Sequence, residues 1–159
     1  MGDQFPRAHG YDTSRKQQQS GSDILSHMSE CIFCKIIKGE VPAYILDENE
    51  AVIALLSLEN HPMIVPKKHI PDIYTLDEET AAAVMVEAVK IARAVKKGVD
   101  CDGINLVQAN EPAAQQDVFH FHLHIKPRWQ QDSVFLRWDT QPAAATELRA
   151  SLEKIRAAL

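Results

Sequence analysis

The stretch that decides the fold is VFHFHLHIKP, Val118–Pro127, in which histidines alternate with apolar residues. Strict alternation is the period of a β-strand, because successive side chains of a strand point to opposite faces. We therefore predict one half-buried strand with His120, His122 and His124 on its open face. The opposite face would belong to the core and would carry Phe119, Phe121, Leu123 and Ile125.

The spacing of the histidines predicts more than one task. Neighbouring histidines would stand roughly 6.5–7 Å apart, and His120 would lie roughly 13 Å from His124. Two neighbouring imidazoles can bracket one phosphate or one metal ion, whereas three cannot easily share it. The simpler interpretation is that the histidines are ordinary exposed strand residues or the remains of a metal site. Three histidines in register make that interpretation weaker. His61 and His69 flank another short apolar strand and can converge on the same site.

Around this strand the sequence predicts several more strands and one long amphipathic helix. Short apolar runs between turn residues predict strands at Tyr44–Leu46, Ala51–Leu56, Met63–Val65 and Asp102–Gln108. The long helix would begin at the capping-box pair Thr75 and Glu78 and end at Gly98. Its inner stripe would be Val84, Ala88, Ile91 and Val95.

Two shorter helices complete the prediction. CIFCKIIKGEVPA, Cys31–Ala43, predicts a short helix ended by Gly39, and Thr146–Leu159 predicts a second amphipathic helix. Several strands grouped around one long helix indicate an α+β domain with an antiparallel sheet.

Composition indicates a globular protein and excludes some classes of function. The chain has 159 residues, 45% hydrophobic and 25% charged, which suffices for one domain with a core. No apolar run is long enough to cross a membrane. The net charge of −5 argues against a nucleic-acid polymer as partner, which would need a basic face. A small phosphate site stays open, since it needs only local donors.

Residues 1–27 differ from the body. They are rich in Gly, Ser and Gln and lack the apolar centre of a secretory signal. The tripeptide Ser26-His27-Met28 resembles a cloning-site remnant before a start at Met28. We expect residues 1–27 to be a disordered leader or an expression remnant, and residues 28–159 to form a single domain.

Three cysteines, Cys31, Cys34 and Cys101, form an odd set without a signal peptide. This indicates a reducing compartment, the cytoplasm, where a Cys-x-x-Cys pair binds metal or does redox work more often than it forms a disulfide. Cys31 and Cys34 would share one face of the short helix. Simple burial is the alternative for both, and we expect Cys101 to serve packing.

Four stretches resemble the histidine-triad (HIT) hydrolases: CIFCKIIKGEVPA, IVPKKH, VFHFHLHIKPRW and ELRASLEKIRAAL. The likeness runs from about Cys31 to Leu159 and is closest in kind to the small bacterial nucleoside phosphoramidate hydrolases. It implies a homodimer of α+β subunits, each with a five-stranded antiparallel sheet, one long helix, a short N-terminal helix and a C-terminal helix. It also implies cleavage of P–N or phosphoanhydride bonds in nucleoside phosphoramidates or dinucleoside polyphosphates.

The resemblance implies a role for individual residues. His122 would attack the α-phosphorus and form a phosphohistidine intermediate, which requires one ring nitrogen to be held as a donor, commonly to a backbone carbonyl. His124 would bind the scissile oxygen and help to protonate the leaving group. The implied phosphate-binding positions are His61, Gln116 and Asp117. The implied nucleoside slot, whose members could equally be ordinary core, is Ile32, Phe33, Ile36, Leu55, Ser57 and Leu58.

The resemblance also implies a structural zinc ion and no organic cofactor. Its ligands would be Cys31, Cys34, His69 and His120, since thiolate and imidazole in a Cys2His2 set suit tetrahedral zinc. His120 would then not be catalytic.

Three departures from the family pattern concern the substrate side. Ser57 stands where an acidic residue usually meets the ribose, and Ala109 replaces a polar residue at the start of the phosphate loop. Gln115 and Asp117 replace the glycine and the hydroxyl residue of the phosphate cradle. A nucleotide-binding module with little turnover is therefore the alternative function. A third alternative is a His-x-His metalloenzyme of unrelated fold. It is disfavoured because the PKKH motif and the cysteine pair would then be coincidences.

Overall fold

The protein is built on one antiparallel sheet. The computed structural model describes residues 31–134 and 141–159, and the leader predicted over residues 1–27 lies outside the described residues. The strands are β1 (Ile45–Glu48), β2 (Val52–Leu56), β3 (Pro62–Pro66), β4 (Gly103–Val107) and β5 (Leu123–Arg128), in the spatial order β1-β2-β3-β5-β4. The α-helices of the described residues are α1 (Ile32–Ile37), α2 (Glu78–Gly98) and α3 (Ala145–Arg156). The predicted α+β class and five-stranded antiparallel sheet are confirmed.

Helix α2 covers one face of the sheet. Val84, Ala88 and Ile91 are buried there as the sequence predicts, and Val95 packs at the margin of the same cluster. Their partners come from three strands and two loops and are Val52, Ala54, Ile64, Ile70, Phe121, Leu123 and Ile125. This cluster is the main hydrophobic core of the described chain.

Helix α1 covers part of the other face. Phe33 packs there with Ile53, Leu55, Met63 and Val65. Since both faces are covered, β3 is buried throughout and β2 as far as Leu55. Strands buried on both faces need apolar side chains at every position, which explains the unbroken apolar runs of the sequence.

Helix α2 starts differently from the prediction. Its N-cap is Asp77, whose carboxylate accepts a hydrogen bond from the backbone N–H of Thr80 at 2.9 Å. Thr75 instead ends a 3-10 helix, Ile73–Thr75, capped by Asp72. The capping box at Thr75 and Glu78 was therefore the wrong assignment, because an aspartate two residues closer to the helix satisfies its first N–H groups.

The histidine strand is shorter than predicted. Strand β5 begins at Leu123, because the preceding chain pairs with a loop: the backbone N–H of Phe121 donates to the carbonyl of Ile70 at 2.6 Å. Alternation still carries Phe121 and Leu123 to the α2 side. Two details of the prediction are wrong, since Phe119 is 49% exposed and His120 is completely buried.

Helix α3 ends three residues earlier than predicted, and all of its side chains are exposed in the single chain. Its apolar stripe of Leu148, Leu152 and Ile155 therefore faces outward. Among the described residues, no helix combines the length and apolar character needed to cross a membrane.

Ile125→Ala tests the placement of the core. Ile125 is fully buried against α2, so we expect the free energy of unfolding to fall by about 2–5 kcal/mol. Ile45→Ala is the matched control on β1; since Ile45 is 45% exposed, its loss should stay below about 1 kcal/mol. Urea denaturation at constant metal content measures both. Equal losses would contradict the described core.

Candidate functional site

A tight loop delivers the histidines to the start of β5, and Gln116 holds that loop together. The side-chain nitrogen of Gln116 donates to the carbonyls of Pro71 (2.6 Å) and Val118 (3.1 Å). Its side-chain oxygen accepts from the backbone N–H of Glu111 at 2.7 Å. Gln116 is 5% exposed, so this predicted phosphate contact is engaged with the backbone around it.

The same loop shows where the family pattern is altered. Gln115 has a φ of 67°, the left-handed region, at the position where the resemblance implies glycine. That conformation costs a residue with a side chain about 1 kcal/mol. Ala109 offers no side-chain donor, and its neighbour Asn110 accepts from the backbone N–H of Ile73 at 2.8 Å.

His122 has one ring nitrogen held and the other free for chemistry. Its Nδ1 lies 2.7 Å from the carbonyl oxygen of His120, and a carbonyl can only accept, so Nδ1 carries the proton. In the neutral ring Nε2 therefore keeps its lone pair. The ring is 5% exposed and lies against Phe33, with 5.1 Å between ring centroids. This is the arrangement that a nucleophilic imidazole requires.

His124 and His61 form a second pair beside it. His61 Nε2 and His124 Nδ1 are 2.8 Å apart, so one proton lies between the two rings. His61 Nδ1 lies 3.1 Å from the hydroxyl of Ser57. Burial lowers the pKa of His61, and burial together with neighbouring His122 lowers the pKa of His124 to about 4. Both rings are therefore neutral near pH 7.

Asp117 lies near Nε2 of His122. One carboxylate oxygen accepts from the backbone N–H of Val118 at 2.9 Å, and the same oxygen is 3.9 Å from His122 Nε2. The side chain is 84% exposed. It therefore caps the turn and also brings negative charge next to the nitrogen that would meet a phosphate.

A cluster of four side chains lies behind the histidine loop: Cys31, Cys34, His69 and His120. Their ligand atoms all lie within 4.8 Å of one another. His120 Nε2 donates to the carbonyl of Pro66 at 2.8 Å, so its Nδ1 points into the cluster with a lone pair. His120 Nδ1 is 3.4 Å from Cys31 Sγ and 3.2 Å from His69 Nδ1.

These spacings fit a tetrahedral ion. Zinc bonds of about 2.3 Å to sulfur and about 2.0–2.1 Å to nitrogen give edges of about 3.5 Å for S···N and about 3.3–3.4 Å for N···N. The S···N separations are 3.3 Å from Cys34 to His69 and 3.6 Å from Cys34 to His120. Without a cation, burial and the neighbouring Cys31 raise the pKa of the Cys34 thiol to about 11, and burial lowers the pKa of His120 to about 4. A divalent cation would reverse the preference at the thiols.

The residues predicted to form the nucleoside slot separate into groups. Phe33 and Leu55 are buried in the α1 cluster, and Ile36 packs against it. Ile32 is 40% exposed, whereas Leu58 is fully exposed. The structure thus brings Phe33 against His122 and leaves Leu58 in solvent, while Ser57 contacts His61.

Sequence reasoning missed the side chains that follow His124 on the same face. Lys126 lies two residues further along β5, and its ammonium pairs with the Glu59 carboxylate at 3.0 Å. The continued alternation from His122 through Lys126 was the available signal. Glu59 could not be found in this way, because its position depends on the register between β3 and β5.

The HIT domain family matches residues 38–131 of the chain. Adenosine 5'-monophosphoramidase hnt1 of Schizosaccharomyces pombe is 30% identical over 130 residues, which cover 79% of this chain and 95% of that protein. A crystal structure of a HIT family member from Bacillus subtilis superposes with a TM-score of 0.77 at 34% identity, covering 82% of this chain and 97% of that one. A Zn-bound histidine triad family protein from Mycobacterium smegmatis has a TM-score of 0.64 at 33% identity, covering 83% and 99%. The chain therefore belongs to the HIT family.

Proposed function

We propose that the protein is a nucleotide hydrolase or transferase that cleaves P–N or phosphoanhydride bonds at the α-phosphorus of a nucleotide. The observation that carries the proposal is the hydrogen bond from His122 Nδ1 to the carbonyl of His120, 2.7 Å long, which leaves Nε2 as a nucleophile. The similar protein from Schizosaccharomyces pombe is named an adenosine 5'-monophosphoramidase, which supports nucleoside phosphoramidates as substrates.

The reaction would proceed through a nucleotidyl-histidine intermediate. As the bond from His122 Nε2 to phosphorus forms, the bond to the leaving nitrogen or oxygen breaks. The leaving atom takes one proton from His124, which would bind this proton together with the anionic substrate, since a neutral ring that lost its only proton would become an imidazolate. His61 Nε2, 2.8 Å from His124 Nδ1, would stabilise that protonated ring. Water then attacks phosphorus, releases His122 and returns a proton to the pair, so that nucleoside monophosphate and the free leaving group are the products.

Binding of the nucleotide would use both sides of His122. The nucleoside would lie on the α1 side, where Phe33 already contacts His122, together with the other apolar residues implied by the resemblance. The phosphate would meet His61 and the loop shaped by Gln116. Asp117 stands at the same place and would oppose the phosphate.

A nucleotide-binding module with little turnover is the second candidate, and Asp117 is the observation that favours it. A carboxylate 3.9 Å from Nε2 would repel an anionic transition state. Turnover of an adenosine phosphoramidate separates the two candidates, because the module would bind the compound and leave it intact.

We also propose a structural zinc ion held by Cys31, Cys34, His69 and His120. The spacing of these ligand atoms and the Zn-bound relative from Mycobacterium smegmatis support it. Bound zinc would supply no reaction chemistry, since four protein ligands leave no open position. Its ligands would tie α1 to the histidine loop.

We further propose a cytoplasmic homodimer that takes a small nucleotide and no organic cofactor. The dimer is supported by β4, an edge strand, and by the exposed residues Met85, Val86 and Val89 of α2. The free thiols of all three cysteines fit a reducing compartment.

His122→Ala tests the nucleophile. We expect release of ammonia from adenosine 5'-phosphoramidate to fall by about a thousandfold or more, because the atom that would attack phosphorus is removed. Acid-quenched wild-type protein should carry a nucleotidyl adduct on His122. Circular dichroism and AMP binding control for folding. Substantial hydrolysis by the folded variant would remove His122 from this role.

Cys34→Ser tests the zinc site. We expect one zinc per chain in the wild type by elemental analysis and a large loss of metal in the variant, since one of the four ligands is removed. Cys101→Ser is the matched control, because Cys101 is buried outside the cluster, and it should keep its metal. Removal of zinc should lower the stability of the fold strongly, whereas the rate of the chemical step should change less. If the purified wild type contained no metal and a thiol reagent modified both Cys31 and Cys34, the zinc site would be refuted.

Asp117→Ser tests electrostatic repulsion at the phosphate. We expect kcat/KM for adenosine 5'-phosphoramidate to rise by about tenfold or more, because a carboxylate next to Nε2 is replaced by a hydroxyl donor. Asp117→Asn keeps the shape and removes only the charge, so it separates charge from hydroxyl. Measurements would run from about pH 5 to about pH 8, around the range where imidazole titrates. Equal or lower activity throughout would show that Asp117 takes part in this protein's own mechanism.

A further inference from the structure

Two cysteines of the cluster behind the histidine loop form a pair at the start of α1. Cys31 is the N-cap of the helix and has an extended backbone, with φ −66° and ψ 121°, whereas Cys34 lies in the first turn. Their sulfur atoms lie within 4.8 Å of each other. Residues three apart on a helix have β-carbons about 5–6 Å apart, and a disulfide needs about 3.5–4.5 Å. A small movement of Cys31, which lies outside the regular helix, would therefore let the bond close.

The two thiols differ in exposure in a way that suits oxidation in two steps. Cys31 is half-buried, whereas Cys34 is 5% exposed. A small disulfide in solution can therefore react with Cys31 first, and Cys34 is the neighbouring thiol that would then displace it. Cys101 is 1% exposed and lies outside the cluster, so it shares neither property.

The sulfur atoms connect α1 to two histidines. Cys34 Sγ lies 3.3 Å from His69 Nδ1 and 3.6 Å from His120 Nδ1. Cys31 Sγ lies 3.4 Å from His120 Nδ1. Thiols can donate hydrogen bonds to these nitrogens, and thiolates can share a cation with them. A disulfide can do neither, because its sulfurs carry no proton and no charge. Oxidation would therefore end both kinds of contact between α1 and the two rings.

The cysteine contacts are a large part of what holds α1 in place. The helix has only six residues, and its N-cap makes no side-chain capping hydrogen bond. Besides Cys34, its buried residue is Phe33, which packs on the sheet and against the ring of His122. Without the sulfur contacts, α1 would be attached through Phe33 and its apolar neighbours, so local opening of the helix would become easier.

We propose that Cys31 and Cys34 form a reversible dithiol–disulfide switch that controls how firmly α1 is held against the histidine loop. In the reduced state the sulfurs contact His69 and His120, with or without the proposed zinc ion. In the oxidised state the Cys31–Cys34 bond replaces these contacts, and the zinc site loses two of its four ligands. The switch belongs to the cluster and to α1, so it does not depend on the proposed hydrolase function.

The oxidant of the switch is a small disulfide of the glutathione type. The Cys31 thiolate attacks one sulfur of glutathione disulfide, so that a mixed disulfide forms and one glutathione leaves. Cys34 Sγ then attacks the sulfur of Cys31, the Cys31–Cys34 bond forms, and the second glutathione leaves. The two electrons lost by the cysteines reduce the glutathione disulfide, and the two thiol protons pass to the released glutathione molecules. A dithiol reductant reverses both steps.

Treatment of the full chain with excess glutathione disulfide tests whether the bond forms. Peptide mapping without reductant should show a Cys31–Cys34 disulfide, and dithiothreitol should remove it. Any zinc bound to the reduced protein should be released on oxidation, which a chromogenic chelator measures. A stable glutathione adduct without the internal bond, or no reaction at Cys31, would overturn the proposal.

Trypsin measures how firmly α1 is held, because Lys35 lies within the helix. Cleavage after Lys35 should become about fivefold or more faster on oxidation, since cleavage of a folded segment follows the population of its open state. Lys97, in the last turn of α2, is the internal reference, and its cleavage rate should stay within about twofold. An unchanged rate at Lys35 would contradict the switch. Equal increases at both lysines would also contradict it, because they would show general unfolding.

Two serine variants assign the response to the pair, each compared with its own reduced form. Cys31→Ser cannot form the bond and keeps a favoured N-cap residue, so its cleavage rate at Lys35 should change by less than about twofold on treatment. Cys101→Ser keeps the pair and should respond like the wild type. A full response of Cys31→Ser, or a lost response of Cys101→Ser, would assign the effect to another thiol and refute the switch.

Discussion

The hydrogen bond between His122 Nδ1 and the carbonyl of His120 is the interaction on which the site depends. It fixes the tautomer of His122, the proposed nucleophile, and its acceptor belongs to His120, whose own ring is buried and hydrogen-bonded. His120 Nε2 donates to the carbonyl of Pro66, and its Nδ1 faces the cysteine cluster. One buried residue thus orients His122 through its backbone and contributes to the proposed metal centre through its side chain.

This coupling explains why two sites with different chemistry share one histidine motif. His69 follows β3, Cys34 lies in α1, and His120 precedes β5, so the cluster joins α1 to the ends of two paired strands. A cation there would hold α1, and with it Phe33, against His122. The position of His122 Nε2 would then be set by the packing behind the ring. A substrate could therefore reach this nitrogen without displacing the groups that hold it.

The sequence predicted the parts of the fold that depend on period and composition. The structure contains both the alternation around His122 and the apolar stripe of α2, because these apolar side chains pack together in one core. The errors are local. The prediction placed the cap of α2 at Thr75, whereas the cap is Asp77. It also counted Phe119 as core, but Phe119 lies outward in the loop in which Phe121 pairs with Ile70. Glu59 and Asp117 gain their roles only from contacts across the fold, which spacing along the chain cannot supply.

The charges around the reacting atoms point to the kind of anion that the site tolerates. His61 and His124 are neutral near pH 7, because burial lowers the pKa of each, and Asp117 and Glu59 add carboxylates on two sides. On the proposed function, a substrate with one phosphate charge and an uncharged leaving group would meet the least repulsion from Asp117, whereas each additional phosphate would add to it, because the neighbouring imidazoles are neutral and Lys126 is already paired with Glu59. The departures at Asp117 and the pairing of Lys126 with Glu59 therefore act in the same direction. On the proposed function they would favour a substrate with low negative charge over one with a chain of phosphates, while His122 keeps the geometry that attack on phosphorus would require.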